Sequence, residues 1–478
     1  MQPESGDETD VMATPSERVL HELSTLTGQQ KYDLLLELLR GTETWQLRKL
    51  YSEIAGLLAV DILCQVPPDV AEKILSYLDA TSLCAVATCS RGWRQLADND
   101  DIWHRLCINQ DYVKFEYLTQ QPWVGRSSHA PATPPSHWKH VYAQAHTLDW
   151  NWRRGSYVVP PLLKGHRLTV TSIAHDGDLL VSGSRDNTAR VWSLQTLECI
   201  NVLEAHTDSV NDVAVKDGLV ATASSDGLVR VFNAKSGQCL RLLQGHMGSV
   251  DHIAFDGKII VSAGADCSIR VWEAQKGRLL HTLTGHSQEI ECLLLNGNIA
   301  VSGSWDSSIR VWSAPYGVCR LVLTGHTQVV YCSCINPSST RLVSGGGEGI
   351  VRVWNLHNGN QTATLAGHSQ EIMCVQCTED LIASGSADSY VRLWNYTGTC
   401  FHILMGHIGY VRCLRFRGNM LVSGGDTRRI TVWDSKTGSL LHTVHKQPSL
   451  LHCMHTTETQ IITASPDAPG TICVVNYW

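Results

Sequence analysis

Histidine, serine, aspartate and tryptophan recur together at fixed spacing in the C-terminal two-thirds of this chain: His166, Ser182, Asp186 and Trp192, then His246, Ser262, Asp266 and Trp272, then His286, Ser302, Asp306 and Trp312. Such a set is raw material for nucleophilic catalysis, where a base takes a hydroxyl proton and a carboxylate orients the base. A hydrolase needs one set, not a copy about every 40 residues. The recurrence predicts instead a hydrogen-bond network inside a repeat: Trp donates, Ser relays, and His bridges to Asp. The set breaks where Phe232 cannot donate, where Glu348 replaces Asp, and where Thr427 takes the Asp position beside Trp433. A weaker repeat is expected at each break. Cys374-x-x-Cys377 is a lone pair with no second pair nearby, and His452, Cys453 and His455 are no stronger as ligands, since zinc takes about four. No phosphate-binding Gly loop and no nucleophile elbow is found. Catalytic residues, metal ligands and cofactors are therefore not expected.

Self-similarity sets the elements that must hold these residues. Gly–His opens a unit at Gly165–His166, Gly245–His246, Gly285–His286, Gly325–His326, Gly367–His368 and Gly406–His407, and Ala205–His206 fills the gap. The first five starts are 40 residues apart, followed by steps of 42 and 39. An aromatic follows each about 26 residues later: Trp192, Phe232, Trp272, Trp312, Trp354, Trp394, Trp433. Within the fourth unit, IECLLL, NIAVSGS, SIRVWSA and CRLVLTG are β-rich runs split by polar turns. Four short strands at this period mark a propeller blade. One blade cannot bury both faces alone, whereas a ring can. An eighth unit is degenerate. His445 lacks its glycine, LHCMHT and QIITASPD follow, and Val475 takes the aromatic position in TICVVNYW. This unit lacks its own fourth strand, which SYVVPPLLKG (156–165) can supply, closing the ring. The expectation is an all-β propeller over 156–478 with eight blades, or seven if the last unit does not pair.

Composition bounds the rest. The chain has 478 residues, 43% hydrophobic and 17% charged, room for two or three units with sizeable cores. A net charge of −7 argues against a partner held by phosphate neutralisation, so no nucleic acid is expected. Seventeen cysteines in so long a chain, scattered along apolar runs such as Cys332 and Cys334, read as reduced, buried thiols of an intracellular protein. The opening MQPESGDETD is acidic and polar, unlike a signal peptide. No run approaches the roughly 18–20 apolar residues of a membrane span. A cytoplasmic or nuclear location without membrane attachment is expected.

The N-terminal third is helical in pattern. Residues 1–17 are expected to be a disordered tail. Over 18–59, Leu47, Leu50, Tyr51, Ile54, Leu57 and Leu58 follow helical spacing, QQKYDLLLELL is apolar on more than one side, and Gly41–Thr42 separates the two segments. This hairpin either packs within its domain or self-associates into a homodimer. In 60–107, Val66–Pro67–Pro68 halts one segment and puts Pro68 in the first turn of a helix carrying Val70, Ile74, Leu75 and Leu78. Asp79 to Ser82 supplies a capped break. A second helix carries Leu83, Val86, Ala87 and Ser90, and a third runs from Arg91 through Trp93 and Leu96; Trp103 and Leu106 close the block. Three short helices make a poor independent core, so the block wants a partner surface or a neighbouring domain. Residues 108–155 hold a Pro/Ser-rich loop, QPWVGRSSHAPATPPSH, and a helix, WKHVYAQAHTLDW, that link the two modules.

Here a resemblance becomes specific. The block 60–107 resembles an F-box, with Pro67 near its start, ILSYLDATSLCAVATCSRGW (74–93) in its middle and IWHRL (102–106) at its end. An F-box followed by a propeller is similar to the F-box/WD-repeat receptors of Skp–cullin–F-box ubiquitin ligases, most of all the archipelago type. WNWRRGSYVVPPLLKGH (150–166) is similar to that family's linker-to-propeller boundary. The resemblance spans roughly residues 18–478. It implies a non-catalytic adaptor. Pro67, Ile74, Leu75, Leu78, Leu83, Val86 and Trp93 would bind the Skp adaptor, the cullin core would follow, and the propeller would hold a target protein. The rival is a WD-repeat scaffold whose F-box-like helices only pack or dimerise.

Loop tips around a propeller's channel form its usual recognition face. Two positions per blade can be read from the repeat. One lies at the start of the inner strand: Thr171, Asn211, Asp251, Glu291, Tyr331, Met373, Arg412. The other precedes the network Asp: Arg185, Ser225, Ala265, Trp305, Gly347, Ala387, Asp426. In archipelago-type receptors, arginines at such positions hold phosphorylated segments. Here only Arg185 and Arg412 remain, while Asp251, Glu291, Trp305 and Tyr331 occupy the middle blades. Carboxylates repel phosphate and welcome cations. The expectation is a target of basic character, with Trp305 and Tyr331 as aromatic anchors.

Overall fold

The computed structural model describes residues 26–49, 51, 66–120, 136–426, 429–444, 453–464 and 470–478. The expected tail (1–17), the ends of the hairpin (18–25 and 52–59), residues 60–65, most of the Pro/Ser-rich loop (121–135), Thr427, His445 and His452 lie outside the described residues. The chain divides into two compact units, Met1–Val113 with Pro134–Tyr142, and Lys114–Thr133 with Ala143–Trp478. The helix His137–Arg154 gives its first residues to one unit and the rest to the other, so the region expected as a separate linker is divided between them.

In the first unit, four helices stand where three were expected: Pro68–Leu75, Ala80–Cys89, Arg91–Ala97 and Asp100–Asn109. Local chemistry sets their ends. Pro68 occupies the first turn, where no backbone N–H is needed. Asp79 accepts from the Ser82 N–H, Ser90 from Trp93 and Asn99 from Asp101, each capping the next helix. The fourth helix escaped the reading, which took Trp103 and Leu106 only as the close of the block; it buries Ile102, Trp103 and Cys107. Ile102 and Trp103 join Ala71, Leu75, Leu83, Ala87 and Ala97 in one core. The buried Trp103 indole donates to the Ala97 carbonyl at 2.7 Å. Leu78 lies beyond the end of the first of these helices, in the turn. Ahead of them, Gly28–Arg40 is helical, Gly41 and Thr42 turn, and 44–49 is helical again, as the spacing predicts.

The second unit consists of eight four-stranded antiparallel sheets. The first runs Val170–Asp176, Leu179–Ser184, Thr188–Ser193, Cys199–Glu204, and six more follow in sequence order. The eighth joins both ends of the repeat region. Leu163–Lys164 pairs with Thr471–Asn476, Leu163 opposite Ile472, and Val158 bridges to Asn476. Eight blades is thus the number, not seven. Val475 stands opposite Ile461 as Trp192 stands opposite Leu180. The eighth inner strand, Cys453–Thr456, lies against the first, Val170–Asp176, and the ring closes.

Hydrophobic clusters bridge adjacent blades. Val181, Val191 and Leu203 of the first pack with Val210, Val220 and Phe232 of the second, and Leu163 and Ile472 of the eighth pack with Ile173 and Trp192 of the first. The glycine of the recurring V-S-G element permits this approach. A Cβ on Gly303 would stand 2.9 Å from Val330 Cγ1 of the next blade.

The repeated polar set is the predicted network. Trp192 Nε1 donates to Ser182 Oγ at 2.9 Å, the Ser182 hydroxyl meets His166 Nε2 at 2.8 Å, and His166 Nδ1 lies 3.0 Å from Asp186. An indole only donates, so the serine oxygen accepts from Trp192, and the imidazole links that hydroxyl to the carboxylate. Glu348 Oε1 stands 2.6 Å from His326 Nδ1, so the close contact survives the change from Asp. Beside Phe232, Thr222 replaces serine and holds His206 at 2.7 Å. His407 differs. It meets Ser423 and Thr431 hydroxyls at 2.8 Å each and has no carboxylate among the described residues.

Burial alone pushes His407 down to about 4. Its folded pKa lies below the unfolded value near 6.5, so protonation favours the unfolded chain. The stability it contributes is full above about pH 6.5 and is lost as pH falls toward 4. In His407→Gln, the acid-side loss of unfolding free energy should shrink by about 3 kcal/mol, read from denaturant titrations between pH 7 and 4.

Candidate protein-binding surfaces

On the helical unit, one face of Pro68–Leu75 is left bare. Val70, Ile74 and Tyr77 are 45%, 44% and 78% exposed, and their spacing of four and three puts them in a row. Lys73 Nζ sits 5.4 Å from the centre of the Tyr77 ring. Of the residues assigned to the adaptor, Pro67 and Ile74 are exposed and Leu78, Val86 and Trp93 are half-buried. Leu75 and Leu83 are about 1% and 0% exposed and pack into the core. These two shape the surface rather than form it. Tyr77 was missed, although its spacing from Val70 and Ile74 was the signal. Leu34, Leu38, Trp45 and Tyr51 in the preceding helical segments are also exposed.

On the propeller, the carboxylate of each network also fixes the loops around it. Asp186 accepts the backbone N–H groups of Arg167 and Thr188 at 2.8 and 3.0 Å. Asp306 accepts those of Ser287 and Ser308 at 3.0 and 2.9 Å. Arg185 and Trp305 immediately precede these anchors. Trp305 is 46% exposed, and its indole donates to Glu291 at 2.8 Å, so two predicted positions meet. Tyr331 is half-buried; burial, then the Glu371 and Glu291 carboxylates, push its hydroxyl above the ordinary value. Asp251 accepts from Ser249 Oγ at 2.6 Å and from Asn211 at 3.0 Å, within a polar chain joining the second and third blades.

The role expected of Arg412 needs correcting. Its Nε donates to Asp426 at 2.5 Å, so its charge is already answered within its own blade. Arg185 is exposed and makes no ion pair among the described residues. The face therefore carries Asp251, Glu291 and Glu371 against one uncompensated arginine at the repeat-read positions. Glu371, with its counterpart Glu289, escaped the sequence reading. Both sit in the S-Q-E-I stretches that lead into two inner strands, two residues before the positions considered, Glu291 and Met373. Among the described residues, no group of three or more His, Cys, Asp or Glu is placed to hold a metal ion, and no helix is long and apolar enough to cross a membrane.

A ring of four-stranded repeat blades with loops set by a Trp–Ser–His–Asp network defines a WD-type propeller. Sequence comparison agrees: "WD domain, G-beta repeat" matches residues 159–193, 197–233, 237–273, 277–313, 317–355, 359–395 and 398–434, and "F-box-like" matches 63–109. The chain belongs to the WD-repeat family, with an F-box-like domain ahead of the repeats. It is 30% identical over 179 residues to "Probable E3 ubiquitin ligase complex SCF subunit sconB" of Arthroderma benhamiae, covering 33% of this chain and 27% of that protein. It is 32% identical over 159 residues to "F-box/WD repeat-containing protein 7" of Drosophila melanogaster, covering 33% and 12%. It is 31% identical over 175 residues to an F-box protein of Saccharomyces cerevisiae, covering 33% and 27%. The match thus spans about a quarter or less of these relatives' own length. Among solved structures, the computationally designed Ika8 protein aligns with a TM-score of 0.61 and 31% identity, covering 65% of this chain and 97% of that one.

The inward and outward residues of the helical unit should separate in a stability assay. Leu75→Ala and Leu83→Ala should each cost about 2–5 kcal/mol of unfolding free energy. Ile74→Ala and Tyr77→Ala should stay within about 0.5 kcal/mol. Urea unfolding followed by circular dichroism at 222 nm checks both.

Proposed function

We propose that this chain is the target-selecting subunit of a Skp–cullin–F-box ubiquitin ligase. The F-box-like helices dock to the Skp adaptor, and the propeller holds the protein to be modified. The observation that carries this reading is an F-box-like domain with a bare apolar row, Val70, Ile74 and Tyr77, placed ahead of a WD-repeat propeller. The printed names of the Arthroderma and yeast relatives, an SCF ligase subunit and an F-box protein, support it. In this role the chain is an adaptor, not a catalyst: it raises the effective concentration of target beside a ubiquitin-charged enzyme. The His–Ser–Asp sets are buried and internally satisfied, which suits structure rather than turnover.

The target segment is basic and needs no phosphate. Glu291, Glu371 and Asp251 attract cations, Trp305 and Tyr331 offer aromatic contact and cation–π stabilisation, and Arg412 is neutralised by Asp426. The subunit works in the cytoplasm, the nucleus or both. The exposed apolar residues of 28–51 serve self-association.

Co-purification with the Skp adaptor tests the core of the proposal. The full chain should retain the adaptor, and deletion of residues 60–107 should abolish retention. Ile74→Asp and Tyr77→Ala should weaken it at least about tenfold without unfolding the unit. No retention by the full chain leaves a scaffold that only packs its helices. For the target face, a Lys/Arg-rich peptide library should bind without phosphorylation, and Glu291→Lys with Glu371→Lys should cut binding more than about tenfold. Strict dependence on phosphopeptides sinks the basic-target reading while leaving adaptor binding intact.

A further inference from the structure

The cysteine motif noted in the sequence resolves into a different pair. Cys374 Sγ turns toward the Val411 carbonyl of the next blade, at 3.4 Å. Cys377 Sγ lies instead 3.1 Å from Cys334 Sγ. Cys334 sits on Val330–Ile335, the inner strand of the fifth blade, and Cys377 ends Ile372–Cys377, the inner strand of the sixth. The two are 43 residues apart in sequence. Bonded sulfurs stand about 2.05 Å apart, so closure requires an approach of only about 1 Å. Val343, Val375, Ile382 and Tyr396 surround the pair.

The two thiols are not equivalent. Donation from Cys377, with Arg415 nearby, holds the Cys334 thiol below its ordinary value. The hydrogen bond to Cys334, together with burial, pushes the Cys377 thiol far up. With the sulfurs 3.1 Å apart, oxidation at Cys334 leaves Cys377 in place to resolve it. Cys84, Cys89, Cys199 and Cys239 are exposed, with no sulfur neighbour in hydrogen-bond reach among the described residues.

We propose that Cys334 and Cys377 form a reversible disulfide that staples the fifth blade to the sixth, with hydrogen peroxide as oxidant. The Cys334 thiolate attacks one peroxide oxygen, the O–O bond breaks, and hydroxide leaves; Cys334 becomes a sulfenic acid, oxidised by two electrons. The Cys377 sulfur then attacks Cys334 Sγ. The S–O bond breaks, the Cys377 proton leaves with the oxygen as water, and the S–S bond forms. A thiol reductant reverses the reaction by exchange. A small oxidant suits the site because both sulfurs lie among apolar side chains, Cys377 only 8% exposed. The staple joins the inner strands of the fifth and sixth blades near the ends remote from Tyr331 and Glu371.

The test uses the full chain, purified reduced, freed of reductant and exposed to hydrogen peroxide. Remaining thiols are alkylated, and a non-reducing digest is read by mass spectrometry. A peptide joining Cys334 to Cys377 should appear and vanish on dithiothreitol treatment. The oxidised wild type should unfold several degrees higher than the reduced protein, whereas Cys334→Ser and Cys377→Ser should show no oxidative shift. The proposal is overturned if Cys334 and Cys377 stay alkylatable while the exposed thiols oxidise. It is equally overturned if Cys334 stops at sulfinic acid or bonds to Cys332 or Cys374. The wild-type peptide map decides even where a variant folds poorly.

Discussion

Each blade is apolar on both faces, and the rest of the structure follows from that constraint. A four-stranded sheet with Val181, Val191 and Leu203 on one side and Leu180 and Trp192 on the other has no solvent-tolerant surface. Its neighbours must cover both faces, and a linear stack would always leave two faces bare. The ring removes those ends only if it closes. Closure falls to a short pairing, Leu163 opposite Ile472 and Lys164 opposite Thr471, that joins the two ends of the repeat region. Trp152 reinforces this blade: it is fully buried, stacks on Tyr477 at 3.9 Å, and donates to the Glu458 carbonyl at 3.0 Å. Helical residues before the repeat thus become part of the propeller's last blade.

Closed packing explains why chemistry-like residues recur without doing chemistry. A backbone loop at the rim of a blade carries N–H groups that need acceptors, and the blade core offers none. The network carries one in from the interior. Tryptophan anchors serine, serine holds histidine, and histidine presents a carboxylate that binds two loops at once. The same carboxylate that looks like the third member of a catalytic triad therefore sets the position of Trp305 and Arg185.

How much of this was legible depended on what kind of signal each feature leaves. The blade count and the strand that completes the eighth blade could be read because the repeat fixes register, and the register carries Val475 onto the tryptophan position without any aromatic there. The short helices of the first unit were harder. Leu75 and Ile74 are adjacent, both apolar, and point to opposite sides, and eight residues are too few for the pattern to tell inside from outside. The Arg412–Asp426 pair was hidden by a different cause. The two residues are 14 apart, and only the hairpin between Val411–Arg417 and Met420–Gly425 brings them together. The repeat gives each residue a position; what it does not state is that the two positions of one blade touch each other.

The irregular spacing of the repeat shows why the face stays readable despite drift elsewhere. The step of 42 residues comes from the fifth blade, where INPSSTRLVS replaces a shorter turn. The extra residues sit between Val330–Ile335 and Arg341–Gly346, at the end of the inner strand remote from Tyr331. There they are held by their own bonds: Asn336 donates to Glu379 of the next blade at 3.0 Å, and its side-chain oxygen accepts from Thr340 at 2.9 Å. The network spacing from His326 to Ser344 grows by two, yet His326 still meets Ser344 at 2.8 Å, as His286 meets Ser302. Insertions are absorbed at one end of each blade because the other end is tied down through histidine and carboxylate. Side chains at that tied end can then differ from blade to blade, as Arg185, Glu291 and Trp305 do, without disturbing the backbone that presents them.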